Sequence, residues 1–285
     1  MDSDSSLRFS LLLVLALMVL YLTELRWHLV TRFLREESAA LNLAVIRVVI
    51  LSLLMQTIQL RGELVFSEMD AALLYPPRGW SRFAYLIPRS PDLVRVVYAV
   101  FIISAVLGII GFFTRFFCGI TCVCSFYLMT LPQLFGKVNH SHHLLAFCFL
   151  LTMAPSGDAL SIDELWRALR ESSRKIVRWG PSRVYASYLE TMMVLVGLSY
   201  FFPGAWKLSR AWVHWFSGEN MYMLIATKLQ ELGGGSQFQR AALGMPRMLV
   251  LGACFTLIFE LGFTFAILQK RIRVFAAAAG IFFTT

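Results

Sequence analysis

The sequence predicts an all-α, polytopic membrane protein, a bundle of about seven or eight transmembrane helices. Three observations predict this fold class. Hydrophobic residues make up 58% of the chain and charged residues only 15%. The mean hydropathy is positive, at +0.67, which soluble globular domains rarely show. Finally, the apolar residues are gathered in runs, most of them close to the roughly 20 residues that cross a bilayer.

Eight apolar runs follow one another along the chain. They cover residues 9–23, 41–60, 93–114, 116–135, 141–154, 184–202, 245–268 and 273–285. The first run is short and precedes a charged, amphipathic stretch at 24–38, so it is either a tilted span or an interfacial helix. A signal peptide is a further alternative, although the acidic start lacks the basic residues of such peptides.

The domain organisation predicted from these runs is simple. Residues 1–39 form the short span or interfacial helix, and residues 40–285 form one transmembrane domain. No internal repeat divides this domain, and its only Gly/Ser-rich stretch is the short one at 233–236. At about 1.5 Å per residue, the run 273–285 is too short to cross a bilayer, so we expect a domain that is truncated at its C-terminus.

The distribution of basic residues predicts an orientation. Cytoplasmic loops collect lysine and arginine, and alternating sides from the run 41–60 onward bring Arg115, Arg167 and Arg170 together on one side. That side is predicted to be cytoplasmic. The turn at 136–143 and Lys207 then lie on the non-cytoplasmic side, where we expect the active-site face. The net charge of +9 includes no long basic run, which favours lipid headgroups over nucleic acid as partners.

Cysteine and histidine do not form a convincing metal site. All five cysteines fall within apolar runs, where they are most simply small buried hydrophobic residues. His140 and His143 have the i, i+3 spacing of two ligands on one helix face, but no Cys, Asp or Glu lies nearby in sequence to complete a tetrahedral set. We therefore predict no metal. His140 is either a residue of the headgroup region or a general acid.

Lys207 follows a proline and a glycine at the end of an apolar run. Many lysines at such positions simply extend to the headgroups, which makes an anchor the simplest interpretation. Pro203 and Gly204, however, predict a break in the helix, and non-helical backbone at membrane depth is tolerated where it lines an enclosed cavity. A water-poor cavity favours the neutral amine, which can act as a base. Both interpretations remain open from spacing alone.

The stretch YFFPGAWKLSRAW, at 200–212, carries a family resemblance. It resembles the signature Tyr-Phe-x-x-Gly-x-x-Lys-Leu-x-x-x-Trp of the vitamin K-dependent γ-glutamyl carboxylase and its HTTM (horizontally transferred transmembrane) relatives. Upstream, Asn139, His140 and Ser141 resemble the family's Asn-His-Ser helix start, followed by its Leu-Leu-Ala-Phe run and its Ser-x-Asp-x-Leu turn. The resemblance extends over residues 40–285.

The resemblance implies a specific reaction. In the carboxylase, a lysine at the Lys207 position is taken as the base that deprotonates vitamin K hydroquinone. Reaction of the quinol with oxygen then drives carboxylation of a peptide glutamate by carbon dioxide. The histidine at the His140 position assists the carboxylation, and we assign Tyr200, Trp212 and Asn139 to binding of the quinol. The cofactor is thus expected to be vitamin K hydroquinone or a related menaquinol or phylloquinol.

Two alternatives to a carboxylase or epoxidase of the carbon–carbon lyase type remain. The animal carboxylase has a large lumenal domain that binds its substrates, and nothing in this chain corresponds to it. A glutamate-containing peptide is therefore only a possible partner, beside membrane lipid and quinone. The chain is alternatively a quinone- or lipid-binding HTTM protein without carboxylation, or a membrane scaffold or transport component.

Three charged residues lie inside the apolar runs. Arg47, Glu190 and Glu260 are each separated from the predicted cytoplasmic end of their run by a similar length, about 9 to 12 Å at 1.5 Å per residue. Charges within a bilayer usually face the interior of the bundle and pair with one another. We therefore expect Arg47 to pair with at least one of the two glutamates, away from Lys207.

Overall fold

The computed structural model describes residues 36–76, 86–136, 141–170, 180–210, 215, 218–231, 237, 241, 243–269 and 272–284. Within these residues the structure consists of helices, turns and one isolated β-bridge, between Ser38 and Ser182, and contains no strand. The predicted all-α class is confirmed.

Ten α-helices are described. They are α1 (Ala40–Thr57), α2 (Leu60–Glu68), α3 (Pro91–Ile110), α4 (Thr114–Gln133), α5 (His142–Met153), α6 (Ile162–Arg170), α7 (Arg183–Arg210), α8 (Glu219–Glu231), α9 (Pro246–Leu268) and α10 (Arg273–Thr284). A short 3-10 turn covers Ala71–Leu73.

Five of these helices, α1, α3, α4, α7 and α9, are long and apolar enough to cross a membrane. The α5 helix is apolar but shorter, and α10 has 12 residues. The prediction of a multi-pass membrane protein is therefore supported. The run 9–23, which contributes to the predicted number of seven or eight spans, lies outside the described residues.

The chain divides into two compact units. The N-terminal unit is Glu36–Met192, and the described part of the other, the C-terminal unit, belongs to Met193–Thr285. In the N-terminal unit α3 packs on α4, α4 on α5, and α1 on both α3 and α5. The core of this unit is formed by buried apolar side chains, among them Leu43, Leu51, Leu54, Val94, Phe101, Leu128 and Leu151.

A tight turn joins α3 to α4. Gly111 ends α3 in the left-handed region, with φ of 77°, and a Cβ at this position would lie 2.8 Å from Cα of Ser161. A glycine is therefore required both by the backbone and by the close approach. The first turn of α4 is capped from a distance in sequence, because the carboxylate of Asp163 accepts hydrogen bonds from the backbone amides of Phe113 and Thr114, each 2.8 Å long.

The α7 helix corrects one prediction. It continues through Pro203 and Gly204 as far as Arg210, so the predicted break at these residues is wrong. Proline removes one helical hydrogen bond, but in lipid the loss of further bonds would be still more costly because no water replaces them. The helix therefore continues past the proline, and the expectation of a cavity lined by unwound backbone loses its basis.

The core of the C-terminal unit is aromatic. Phe263, Ile267 and Ala276 form one buried cluster, against which Tyr200 and Phe259 pack. The ring of Tyr200 lies 4.5 Å from that of Phe263 and 5.6 Å from that of Phe259, measured between centroids. These contacts connect α7, α9 and α10, and they place Tyr200, the first residue of the resemblance motif, inside the unit.

Candidate functional site

Lys207 has a charged partner in the structure. Its Nζ donates a hydrogen bond to Oε1 of Glu260, on α9. The lysine side chain is 23% exposed and the glutamate side chain only 8%. Because both groups are largely removed from solvent, their mutual attraction is screened less than that of a surface pair. Lys207 is thus part of an ion pair inside the C-terminal unit.

An aromatic ring covers the same ammonium. Nζ of Lys207 lies 4.6 Å from the ring centroid of Trp215, within the range of a cation–π contact. Trp215 is itself buried, 7% exposed, and its indole Nε1 donates to the carbonyl oxygen of Ala253 at 3.1 Å. That hydrogen bond fixes the ring on α9, so the position of the ammonium is determined by both an anion and a ring.

The second carboxylate oxygen of Glu260 has no hydrogen-bond donor among the described residues. Oε2 is buried and accepts no hydrogen bond from the part of the chain that the structure describes. Buried carboxylate oxygens are almost always hydrogen-bonded, so an acceptor left open needs a reason, such as a ligand or a water. The pair therefore has capacity for one more donor, next to the ammonium of Lys207.

Two glycines allow α7 to approach α9 closely at this pair. A Cβ on Gly204 would lie 2.9 Å from Cβ of Glu260, and a Cβ on Gly197 would lie 3.0 Å from Cγ2 of Thr264. The hydroxyl of Thr264 donates to the carbonyl oxygen of Gly197 at 2.7 Å. Small residues at a helix crossing bring the backbones together in this way. Gly204 is therefore a contact residue and not a helix breaker.

Of the other predicted site residues, the structure describes Tyr200. His140, Asn139 and Trp212 lie outside the described residues, so the prediction that His140 and Lys207 share one cavity stays a prediction. Tyr200 lies in the aromatic cluster of the C-terminal unit. No three His, Cys, Asp or Glu side chains are grouped as a metal site within the described ranges.

Sequence reasoning missed the two partners of Lys207. Glu260 was visible as a carboxylate inside an apolar run, a signal that it pairs with a cation, but its depth alone suggested Arg47. Trp215 had no signal in the sequence, because a tryptophan near the end of a span is common in membrane proteins.

The predicted pairing of Arg47 with Glu190 or Glu260 is wrong. The guanidinium of Arg47 is fully buried and donates instead to backbone carbonyl oxygens, those of Ser156, Leu160 at 2.6 Å and Ile109 at 3.3 Å. These carbonyls lie at the end of α3 and in the segment between α5 and α6. Helix ends and loops leave carbonyls without partners, and a guanidinium with five donors can satisfy several of them.

Glu190 also has a cation of its own. Arg183, two turns earlier on α7, donates to both of its carboxylate oxygens, at 2.5 and 2.6 Å. Arg183 additionally donates to the carbonyl oxygen of Glu36 at 3.0 Å. The bidentate pair is local to the start of α7, and the further bond of Arg183 fixes the backbone of Glu36 to that helix.

Fold and site together define a multi-pass helical membrane protein in which Arg47, Glu190 and Glu260 each bind a partner within the helix packing. The family model of the HTTM domain matches residues 35–285. The chain therefore belongs to the HTTM domain family. No curated protein and no solved structure matches it.

Proposed function

We propose that this protein binds a quinol in the membrane and removes a proton from it, as a vitamin K-dependent carboxylase-like member of the HTTM family. The observation that supports this most directly is the open acceptor of the Lys207–Glu260 pair. A buried carboxylate oxygen without a donor, beside an ammonium, suits a ligand that offers a hydroxyl group.

The surroundings of the pair fit an aromatic, lipid-soluble ligand. Trp215 covers the ammonium on one side, and Tyr200 packs against Phe259, the residue next to Glu260. A quinol combines a flat ring with hydroxyl donors, so its ring would contact these side chains while one hydroxyl donates to Oε2 of Glu260. Such a ligand reaches the protein through the bilayer.

The two charged groups would have different roles in this proposal. Glu260 orients the hydroxyl and accepts its hydrogen bond, and the Lys207–Glu260 pair takes up the proton, which stays between the two groups. The positive charge of Lys207 then stabilises the developing quinolate. When bound, the quinol supplies the reducing chemistry with oxygen that carboxylation of a glutamate requires. We propose that the face on which this occurs is the non-cytoplasmic one.

The test is quinol oxidation by the purified full chain in lipid nanodiscs. Reduced phylloquinone or menaquinone is supplied with oxygen and bicarbonate, and the epoxide is measured by chromatography together with carboxylation of a glutamate peptide. Glu260→Gln is the informative variant, because an amide of nearly the same shape cannot take up the proton of the hydroxyl group. We expect it to fold and to lose about 10² to 10⁴ in rate. Arg95→Gln, at an exposed surface pair, is the matched control and should keep full activity.

A second candidate function follows from the two contacts of the Lys207 ammonium, with Glu260 and with Trp215. An ammonium that contacts both a carboxylate and an indole ring can serve as a structural clamp between α7 and α9. In that case the protein binds quinone or lipid, or acts as a scaffold, without turnover. Binding of quinone to the wild-type protein without any epoxide at any pH would favour this candidate over the enzyme.

A further inference from the structure

The α6 helix exposes an apolar stripe. Its apolar side chains recur at i, i+3, i+4 and i+7, and we call them the α6 stripe: Ile162, Leu165, Trp166 and Leu169. They are 38%, 59%, 56% and 70% exposed, respectively. The charged residues of α6 lie on the other faces of the helix. An amphipathic helix normally buries its apolar face, and none of the described residues covers this one.

The position of α6 indicates what covers this face. The carboxylate of Asp163 accepts from the amides of Phe113 and Thr114, and the backbone amide of Asp163 donates to the carbonyl oxygen of Gly111 at 3.0 Å. These bonds fix the first turn of α6 to the turn between α3 and α4. Because α3 and α4 are both long enough to span, their joined ends lie at a bilayer surface, and the start of α6 lies there with them.

Neighbouring side chains at this level are also apolar and exposed. Phe113 in the turn is 64% exposed, and Phe116 in the first turn of α4 is 63% exposed. Large apolar side chains are thus exposed both at this end of the two spans and along the α6 stripe. Water alone would be an unfavourable neighbour for so many large apolar groups.

Charge and side-chain type agree with an interface. Trp166 belongs to the residue types that concentrate at the headgroup level of membranes, and the guanidinium of Arg170 lies 5.2 Å from the centroid of its ring. Arg115 is exposed at the same ends of the spans. In sequence, Arg174, Lys175 and Arg178 follow α6 closely. Positive charge beside an apolar stripe suits a leaflet that contains anionic lipids.

We propose that α6 is an interfacial helix that lies in the plane of the bilayer, with the α6 stripe inserted at the boundary between headgroups and acyl chains. The partner is the lipid leaflet at the α3–α4 end of the N-terminal unit. A nine-residue helix is too short to be stable by itself. The hydrogen bonds of Asp163 with the turn between α3 and α4, together with contact of the stripe with lipid, would hold it in place. This inference does not depend on the quinol chemistry.

The test compares two neighbouring positions of α6. Leu169→Cys lies on the stripe, and Ala168→Cys lies about 100° further round the helix and is also exposed. Each variant of the full chain is spin-labelled and reconstituted in vesicles of phosphatidylcholine and phosphatidylglycerol. Signal from the native cysteines is subtracted with labelled wild-type protein. Relaxation of the label by oxygen, which dissolves in lipid, is compared with relaxation by a water-soluble nickel chelate.

We expect the label at 169 to respond several-fold more to oxygen than to nickel, and the label at 168 to show the reverse preference. A label at Trp166→Cys repeats the first result at a second stripe position and guards against misfolding of one variant. If the nickel chelate relaxed the labels at 166, 168 and 169 equally, and more than oxygen did, the stripe would face water. Protection of 166 and 169 from both reagents would mean that a protein surface covers it. Either result overturns the proposal.

Discussion

Single residues with buried charges are held here by three different kinds of partner. Arg47 binds backbone carbonyls, Lys207 binds one carboxylate oxygen and a ring, and Glu190 receives a bidentate arginine. An isolated charge inside a protein is costly, and each of these partners removes part of that cost in its own way. The consequences of removing them therefore differ.

Replacement of Arg47 should destabilise the N-terminal unit strongly. In Arg47→Leu the carbonyl oxygens of Ser156 and Leu160 lose their donor while they remain enclosed. Unsatisfied buried groups cost about 1 to 3 kcal/mol each, so we expect a loss of about 2 to 6 kcal/mol in the free energy of unfolding. Thermal unfolding in detergent measures it. Arg95→Leu, which removes an exposed pair, should change the stability by less than about 1 kcal/mol. Equal stability of both variants would contradict the role of Arg47.

The Lys207–Glu260 pair predicts an energetic coupling. Lys207→Met and Glu260→Gln each leave one charged group without its partner, whereas the double variant leaves none. We expect the double variant to be more stable than the sum of the single effects predicts, by about 0.5 to 3 kcal/mol. A double-mutant cycle of unfolding free energies measures this coupling. Strict additivity would mean that the two side chains do not interact in the membrane.

At the scale of the elements, the contact of α7 with α9 depends on glycine. Gly197 and Gly204 are seven residues apart, which is about two helical turns, so they lie on the same face of α7. Both are buried against α9. The absence of side chains there brings Glu260 within reach of Lys207, so the ion pair depends on the helix packing beneath it.

A larger residue at Gly204 should separate the two helices. Gly204→Val introduces atoms where Cβ of Glu260 is only 2.9 Å from a first added carbon. Overpacking of this kind costs about 1 to 3 kcal/mol. The matched control is Gly262→Ala on α9, because a Cβ on Gly262 would meet nothing within 4 Å. Alanine there should be neutral or stabilise the helix by up to about 1 kcal/mol. Thermal unfolding of both variants is the measurement, and equal losses would argue against a close approach at Gly204.

The sequence predicted these elements better than it predicted their contacts. Span length and hydropathy gave the run 93–114 where α3 is Pro91–Ile110, because a bilayer imposes a length on any helix that crosses it. Counting residues placed Arg47 and Glu260 at a similar depth, away from Lys207, and the pairing of Glu260 with Lys207 contradicts this. Depth, however, does not give the direction in which a side chain points around its helix. The partners of Arg47 were backbone atoms, which no pattern of residue types reveals.

The membrane orientation predicted for the whole molecule can be tested at the two ends of α3. Leu86, shortly before this helix, and Phe113, just after it, are 74% and 64% exposed. Since α3 is a spanning helix, Leu86→Cys and Phe113→Cys should react with a membrane-impermeant maleimide from opposite sides. From the distribution of basic residues, we expect Phe113→Cys to react from the cytoplasmic side. Labelling of right-side-out and inverted vesicles, with wild-type protein to correct for native cysteines, measures this. Reaction of both positions from one side would exclude α3 as a span.

The binding of Arg47 to distant carbonyls has a consequence for how the protein is made. Leu160 follows Arg47 by 113 residues, so it leaves the ribosome about 6 to 23 s later at the usual rates of synthesis. An arginine near the middle of a span raises the insertion free energy by about 2.5 to 3.5 kcal/mol. During that interval α1 therefore either waits beside the insertion machinery or enters lipid with an unpaired cation. Release of α1 into the bilayer becomes more favourable once the segment after α5 has arrived and its carbonyl oxygens can bind the guanidinium.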